Sequence, residues 1–437
     1  MSDKLLEVVA LSVSFGGRRV VKEASFTVNA GEILGVVGAS GSGKSMTALK
    51  IMGLLPPAAA SSGAVRLNGE NLSGMPESQM QTVRGRKIGM VFQDPMSALN
   101  PLIRIGGQVA ETVRLHRKVS EAEARAAARE ALDSAGLQGE QGALDRYPYE
   151  LSGGQRQRVA IAMATVLSPQ LLIADEPTTA LDVVTQAQVL SLLQNLVRAH
   201  NMGLILITHD LAVVARLADR VAVMHQGEIV EQAATTELLR HPRNPYTAAL
   251  LAAARLDLRR TGGPPDEAAA VLEVRGIVRE YPRKRTSLWR APVPLRAVDE
   301  VTLSVRAGET VGLVGESGSG KSSLLRVILA LERPQSGRVS LLGEPFSNSR
   351  AASLNRQRRA IQVVFQDPFG SFDPRWTVEE LIGEPFYLLG SPPTAAERRL
   401  KVAAVLEQVG LSAADARRLP REFSGGERQR IAIARAL

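Results

Sequence analysis

Gly38-Ala39-Ser40-Gly41-Ser42-Gly43-Lys44-Ser45 is the stretch that decides the fold, and it follows the apolar run Ile33-Leu34-Gly35-Val36-Val37. The pattern is G-x-x-x-x-G-K-S/T placed directly after a predicted buried strand and opening a predicted helix. Glycines let backbone N–H groups curl around an anion, and the helix N-terminus adds the positive end of its dipole. The lysine reaches phosphate oxygens, and the Ser45 hydroxyl is a candidate Mg²⁺ ligand. Gly38, Ser40, Gly41, Gly43, Lys44 and Ser45 are therefore candidate nucleotide-binding residues. A lone match could also be a tight turn before a helix. This chain has a second match, Gly315-Glu316-Ser317-Gly318-Ser319-Gly320-Lys321-Ser322, after the apolar run Thr310-Val311-Gly312-Leu313-Val314, also expected as a buried strand. Gly315, Ser317, Gly318, Gly320, Lys321 and Ser322 join the candidates, with Ser322 a second Mg²⁺ ligand.

The duplication runs well beyond the loop. Val91-Phe92-Gln93-Asp94-Pro95 recurs as Val364-Phe365-Gln366-Asp367-Pro368, and Leu151-Ser152-Gly153-Gly154-Gln155-Arg156-Gln157-Arg158 as Phe423-Ser424-Gly425-Gly426-Glu427-Arg428-Gln429-Arg430. Phe15, ahead of the first loop, has a counterpart in Tyr281. The second copy carries about eleven extra residues between its aromatic and its loop, roughly Arg283 to Val293. So long a period marks two tandem domains rather than a solenoid of short units. The expected boundaries are 1–258 for the first domain and 272–437 for the second. Residues 259–271, rich in Gly, Pro and charge, are the expected linker.

In the first copy the remaining parts follow in order. Leu171-Leu172-Ile173-Ala174-Asp175-Glu176 is an apolar strand ending in two carboxylates, Ala180-Leu181-Asp182 comes next, and Leu204-Ile205-Leu206-Ile207-Thr208-His209-Asp210 is another strand ending in histidine. Unalternated apolar runs of this length read as central parallel strands covered on both faces.

With these motifs in this order, the chain resembles the ATP-binding cassette ATPases over nearly its whole length. The resemblance implies an α/β fold of two tandem P-loop cassettes, each with a mixed or parallel sheet and an inserted helical subdomain. Ser120 to Ala135, helix-favouring in composition, lies where that subdomain would sit. The resemblance also implies ATP and Mg²⁺ as ligands, and roles residue by residue. Phe15 and Tyr281 would stack on adenine. Lys44 and Ser45 would hold phosphates and Mg²⁺. Gln93 and Gln366 would sense Mg²⁺ and couple the site to a membrane partner. Asp175 would hold Mg²⁺, Glu176 would polarise the attacking water and His209 would contact the γ-phosphate. The two cassettes would pair head to tail, so that Ser424, Gly425 and Gly426 complete the first site and Ser152, Gly153, Gly154 and Gln155 the second. Phosphoryl transfer relies on positioning and charge neutralisation, which fits a residue set with no covalent nucleophile.

Bulk composition sets outer limits. The chain has 437 residues, enough for two cores, and no cysteine, which excludes disulfides and thiolate metal sites. The net charge of +9 permits attraction to an anionic surface, but a solvated basic face is the ordinary reading of such clusters. No apolar run is long enough to span a bilayer, and Met1-Ser2-Asp3-Lys4-Leu5 lacks a signal-peptide core.

Three functions compete: a membrane importer's energising subunit, a tandem ATPase acting on ribosomes, and a DNA-repair or chromosome ATPase. The connector lacks the long charged helix that the second class resembles. Neither coiled-coil heptads nor zinc-ligating cysteines, features of the third, are evident. Gln93-Asp94-Pro95-Met96-Ser97-Ala98-Leu99-Asn100-Pro101 and Gln366-Asp367-Pro368-Phe369-Gly370-Ser371-Phe372-Asp373-Pro374 resemble the coupling segments of oligopeptide and dipeptide importer ATPases. His241-Pro242-Arg243-Asn244-Pro245-Tyr246-Thr247 resembles an element that follows the first cassette in that subfamily. On physical grounds alone it is a proline-rich loop before a helix from Thr247 to Arg255. The implied partners are two permease subunits and an extracytoplasmic solute-binding protein, with no nucleic acid. The implied place is peripheral, on the cytoplasmic face of the inner membrane.

Two departures stand out. Glu427 occupies a position usually held by glutamine. The spacing from Ser152 to Asp175, applied to Ser424, runs past Leu437. The second cassette is therefore expected to lack its acid strand, its catalytic glutamate and its terminal histidine within this sequence.

Overall fold

The computed structural model describes residues 4–94, 98–138, 143–179, 181–254, 269–282, 294–316, 318–346, 357–367 and 369–437. The chain divides into two compact units, Met1–Arg259 and Arg260–Leu437.

The first unit begins with long strands β1 (Lys4–Phe15) and β2 (Arg18–Asn29). The Gly16-Gly17 turn between them takes positive φ at both residues, the conformation a tight hairpin requires. β3 (Ile33–Val37) leads through the glycine loop into α1 (Lys44–Ile51). β4 (Ala59–Leu67) and β5 (Glu70–Asn71) then complete an antiparallel sheet of order β2-β1-β4-β5. After α2 (Glu77–Val83) comes β6 (Ile88–Val91). The chain then leaves the core for three helices, α3 (Ile105–His116), α4 (Glu121–Leu132) and α5 (Gly153–Thr165). They bury their own cluster, including Ile105, Val109, Val113, Ala128, Leu132 and Val159. α4 falls within the helix expected over 120–135. Ser120 and Glu123 close a capping box at its start, and a π-turn follows it, with Gly136 at φ 76.

The chain returns as β7 (Leu171–Asp175), α6 (Val183–His200), β8 (Gly203–Thr208), α7 (Leu211–Leu217), β9 (Arg220–His225) and β10 (Glu228–Ala234). The second sheet has the order β10-β9-β3-β8-β7-β6 and is parallel except for β10. Every residue of β3, β7 and β8 is buried, which explains their unalternated apolar sequences. One face packs with the antiparallel sheet through Leu6, Phe26, Leu34, Ile51, Ile173 and Met224. The other is covered through residues such as Leu193, Val197 and Val214. The register pairs Val37 with Thr208 and Asp175 with Ile207. The next residues, Gly38, Glu176 and His209, thus emerge together at the carboxyl edge, where ligands of open α/β sheets bind. α8 (Thr235–Arg240) and α9 (Pro245–Ala254) end the unit. α9 starts two residues before the expected Thr247, because Pro245 suits a first helical turn. Its expected end, Arg255, lies outside the described residues.

The second unit repeats the antiparallel sheet as β11 (Ala270–Tyr281), β12 (Leu295–Arg306), β13 (Ser336–Leu341) and β14 (Glu344–Pro345), in the order β12-β11-β13-β14. α10 (Lys321–Ile328) packs on it. α11 (Val378–Gly383), α12 (Ala395–Gln408) and α13 (Gly425–Ala436) form a helical cluster like that of α3 to α5. β11 begins inside the stretch expected as linker, because Ala270 already pairs with Arg306. Residues 259–268 and the basic insert 283–293 lie outside the described residues.

One expectation fails here. Thr310 to Val314 forms no strand and is not buried; Val314 is 89% exposed. In the first unit β3 is held by β8 and β9. Among the described residues of the second unit no strand pairs with this run. The segment from Ile361 to Phe365, the counterpart of β6, likewise forms no strand.

Candidate active site

The first glycine loop is built against β9 and β2. A Cβ at Gly38 would lie 2.1 Å from the Met224 carbonyl oxygen, and one at Gly43 would lie 2.6 Å from that of Val20. Gly43 also sits at φ 102 as the residue capping α1, a conformation that favours glycine. The sequence of the loop is thus dictated by close backbone approach as well as by curvature. Lys44, buried at 5% exposure, folds back over it. Its Nζ donates to the carbonyls of Gly38 at 2.8 Å and Ala39 at 2.9 Å, and lies 3.5 Å from Ser42 Oγ. Burial pushes the lysine pKa down, while the carboxylates of Glu176 and Asp175 oppose that shift. Ser40 and Gly41 lie at the exposed tip of the loop.

The two acids at the end of β7 have different environments. Asp175 is buried. Burial raises its pKa and the nearby Ser45 hydroxyl works against that. Among the described residues its Oδ1 has no hydrogen-bond partner. A buried carboxylate oxygen without a donor, next to the Ser45 hydroxyl, suits a hard cation taking oxygen ligands. Ser45 and Asp175 therefore fit Mg²⁺. No group of three His, Cys, Asp or Glu side chains able to hold a metal occurs among the described residues. Mg²⁺ bound with a nucleotide needs only one or two carboxylates besides phosphate oxygens.

Glu176 is held from three sides. Gln93 Nε2 donates to Oε2 at 3.0 Å, Thr179 Oγ1 donates to the same oxygen at 2.9 Å, and His209 Nδ1 lies 3.2 Å from Oε1. The backbone of Glu176 is left-handed, at φ 48, and its N–H donates to the Ile207 carbonyl at 2.9 Å. Non-glycine residues in that region are uncommon and mark sites where surrounding structure imposes the conformation. Burial pushes the Glu176 pKa up; hydrogen bonds from Thr179 and His209, with the charges of His209 and Lys44, outweigh it, and the net direction is down. The carboxyl is thereby kept ionised and aimed.

Lys44, Ser45, Gln93, Asp175, Glu176 and His209 therefore share one edge of the sheet. Phe15 ends β1, paired with Arg18 and Ala59 and half-buried. Ser152 caps α5, with Gln155 completing its capping box. A Cβ at Gly153 would meet Leu181 at 3.7 Å and one at Gly154 would meet Thr185 at 2.1 Å, which sets this segment against the start of α6. Thr179 was not singled out from sequence; its spacing three residues after Glu176 was the available signal.

In the second unit Lys321 Nζ makes equivalent bonds to Gly315 O at 2.7 Å and Glu316 O at 2.6 Å, with Ser319 Oγ at 3.3 Å. Gly318 and Gly320 take positive φ, as Gly41 and Gly43 do. Ser317 lies outside the described residues. Ser322 and Gln366 are exposed, and no carboxylate pair faces them among the described residues. Tyr281 donates to Glu332 Oε2 at 2.6 Å and lies 3.2 Å from Ser323 Oγ, with the Arg279 guanidinium 4.5 Å from its ring centre. Its hydroxyl and one neighbouring cation are thus already engaged. Ser424 caps α13. Its N–H and its hydroxyl both donate to Glu427 Oε2, at 2.8 and 2.7 Å; in the first unit Gln155 Oε1 accepts the N–H of Ser152 at 2.9 Å. Gly425 and Gly426 open the helix behind it.

Residues 21–179 and 298–437 match the family model described as ABC transporter. This chain belongs to that family. As an ABC chain with two cassette regions it binds and hydrolyses ATP. It is 46% identical over 444 residues to the peptidoglycan transport ATP-binding protein YejF of Agrobacterium fabrum, covering 99% of this chain and 80% of the relative. It is 43% identical over 473 residues to the glutathione import ATP-binding protein GsiA of Salmonella typhimurium, covering 100% of this chain and 75% of the relative. An uncharacterized ABC transporter ATP-binding protein, YejF of Escherichia coli, is 44% identical over 446 residues, covering 100% of this chain and 83% of the relative. Among the described residues no helix is long and apolar enough to cross a membrane.

Proposed function

We propose that this ABC chain is the ATP-hydrolysing subunit of an importer for peptides or related small solutes. In this reading it works peripherally, on the cytoplasmic face of the inner membrane, with two permease subunits and an extracytoplasmic solute-binding protein. Relatives named for glutathione import and peptidoglycan transport, matched along the whole chain, support that class. The pairing of the two cassettes, with Ser424 to Gly426 serving the first site and Ser152 to Gln155 the second, belongs to the same proposal.

The observation that carries the chemistry is the three-sided hold on Glu176 beside Lys44. Glu176, ionised, accepts a proton from the water that attacks the γ-phosphoryl group. Lys44 exchanges its loop carbonyls for β- and γ-phosphate oxygens. His209 orients Glu176 through Nδ1 and contacts the γ-phosphate with the rest of its ring. Phe15 meets the adenine. Ser45 and Asp175 would hold Mg²⁺, which when bound would supply neutralisation of phosphate charge.

The test is reconstitution of the full chain with candidate permease and binding-protein subunits in proteoliposomes. ATP hydrolysis stimulated by a peptide or glutathione-like solute, and accumulation of that solute, are expected. Stimulation by ribosomes or DNA in place of membrane partners would overturn the reading.

A further inference from the structure

We propose that Tyr246 is a positioning residue for the first phosphate loop, its hydroxyl holding the Gly38–Ala39 peptide in the orientation that receives nucleotide. This rests on the reading of that loop as an ATP site, but not on the importer reading.

The observation is a bond from outside the cassette core. The Ala39 N–H donates to the Tyr246 hydroxyl oxygen at 3.2 Å. The carbonyl of that same peptide group belongs to Gly38 and accepts Lys44 Nζ at 2.8 Å. One peptide is therefore gripped at both ends, by the catalytic lysine and by the tyrosine. The glycine contributes little resistance of its own, because it lacks the Cβ that narrows backbone choice.

Tyr246 is itself firmly placed. Its ring stacks on His225, with centres 3.9 Å apart and planes at 27°. His225 ends β9 directly after Met224, whose carbonyl faces Gly38. The Tyr246 N–H donates to Asn244 Oδ1 at 2.9 Å. The N–H groups of Asn244 and Arg243 donate to Glu231 on β10, at 3.1 and 2.8 Å. The Arg243-Asn244-Pro245-Tyr246 segment is thus buckled onto β10, and its tyrosine reaches back to the loop.

The consequence lies in the nucleotide-binding step. Lys44 must leave the Gly38 and Ala39 carbonyls to reach phosphate. At that moment the Gly38–Ala39 peptide loses one of its two holds, and Tyr246 remains. Without the hydroxyl, ordering this peptide falls on the nucleotide, and affinity drops. The chemical step, at Glu176, is untouched.

The experiment uses the full chain carrying Lys321→Ala, so that binding reports the first loop. Tyr246→Phe removes one oxygen and keeps the ring on His225. A net hydrogen bond of this kind corresponds to about a three- to tenfold change in an equilibrium. The expected result is an ATP Kd and KM raised by about that factor, with kcat and melting temperature nearly unchanged. Amide exchange over residues 38–43 should quicken in the nucleotide-free protein. An unchanged Kd with unchanged exchange overturns the proposal. So does a loss confined to kcat. Should Tyr246→Phe melt early, Asn244→Ala, which loosens the segment but spares the phenol, provides the comparison. Equal losses of affinity and stability in both variants would reduce Tyr246 to a packing role. Lys44→Ala must abolish binding in the same assay; retention there would sink the reading of the loop itself, a distinguishable failure.

Discussion

Gln93 donates a hydrogen bond from Nε2 to Oε2 of Glu176 at 3.0 Å. The bond joins the second residue beyond β6 to the first residue beyond β7, so a movement of Gln93 is felt at the acid. Gln93 opens the segment whose wording resembles a coupling element. What displaces Gln93 leaves Oε2 of Glu176 held by Thr179 alone.

Gln93→Glu tests the electrostatics of this pair. It replaces a donor with a second carboxylate at hydrogen-bond distance. Like charges so close raise the pKa of one of them. The folded Glu176 carboxyl now sits below its ordinary value, so its basic form persists into mildly acidic solution. In the variant the acid limb of the kcat–pH profile should move upward by about one unit or more. Turnover near pH 6 should fall more than turnover near pH 8. A profile displaced downward would contradict the arrangement.

Glu176→Gln preserves shape and removes the base. ATP binding should be retained, while turnover falls by about 10²- to 10⁴-fold, the usual worth of a positioned general base. The measurement needs the second site disabled by Lys321→Ala. Near wild-type hydrolysis would exclude Glu176 as the base.

Thr179→Val deletes the smaller support. The Thr179 hydroxyl is one of the groups that lower the Glu176 pKa, and valine keeps the volume without the donor. The acid limb should again move upward, by less than in Gln93→Glu, with the nucleotide KM steady. A change in KM alone would place Thr179 in ligand binding instead.

Much of the first site was legible because its parts sit at strand ends. A buried parallel strand announces itself as an unbroken apolar run, and the residue after it must face the carboxyl edge. Lys44 was readable from the glycine-loop pattern, and Asp175, Glu176 and His209 from strand ends that fall in the motif order resembling the cassette ATPases. Thr179 and Tyr246 were not, since neither follows a run and each acts through one hydroxyl on a partner chosen by the fold. Tyr246 reaches Ala39 across a sequence distance that no local pattern encodes. Thr310 to Val314 shows the converse limit. It has the composition of a central strand, but hydrogen-bonded pairing makes a strand, and no described strand lies beside it.

Asp175→Asn keeps the side chain's size but removes the charge of a carboxylate whose Oδ1 has no hydrogen-bond partner among the described residues. Nucleotide binding without metal should change little. The Mg²⁺ concentration for half-maximal hydrolysis should rise by about tenfold or more, since carboxylate is the stronger ligand for a hard cation. Metal titrations at saturating ATP would read this. An unaltered Mg²⁺ requirement would remove Asp175 from the metal site.

The loop is also supported from behind. Glu32, in the turn before β3, is buried with its side chain 9% exposed, and it is satisfied on both oxygens. Oε2 accepts the Asn29 N–H at 2.7 Å, and Oε1 accepts Arg220 Nη1 at 2.9 Å. Arg220 opens β9, the strand whose Met224 carbonyl lies against Gly38. Arg220→Ala would leave a buried carboxylate with its charge uncompensated, a loss of up to about 3 kcal/mol given the partial exposure of the arginine. Replacing both partners, as Glu32→Leu with Arg220→Met, should recover much of that, because the penalty comes from the unpaired charge rather than from the missing pair. Thermal unfolding of the two variants, with amide exchange followed along β9, would separate these contributions. If the double replacement is no more stable than Arg220→Ala, the pair contributes directly to the fold. If both match the parent, Glu32 finds water in the single variant and the turn is wetter than its burial implies.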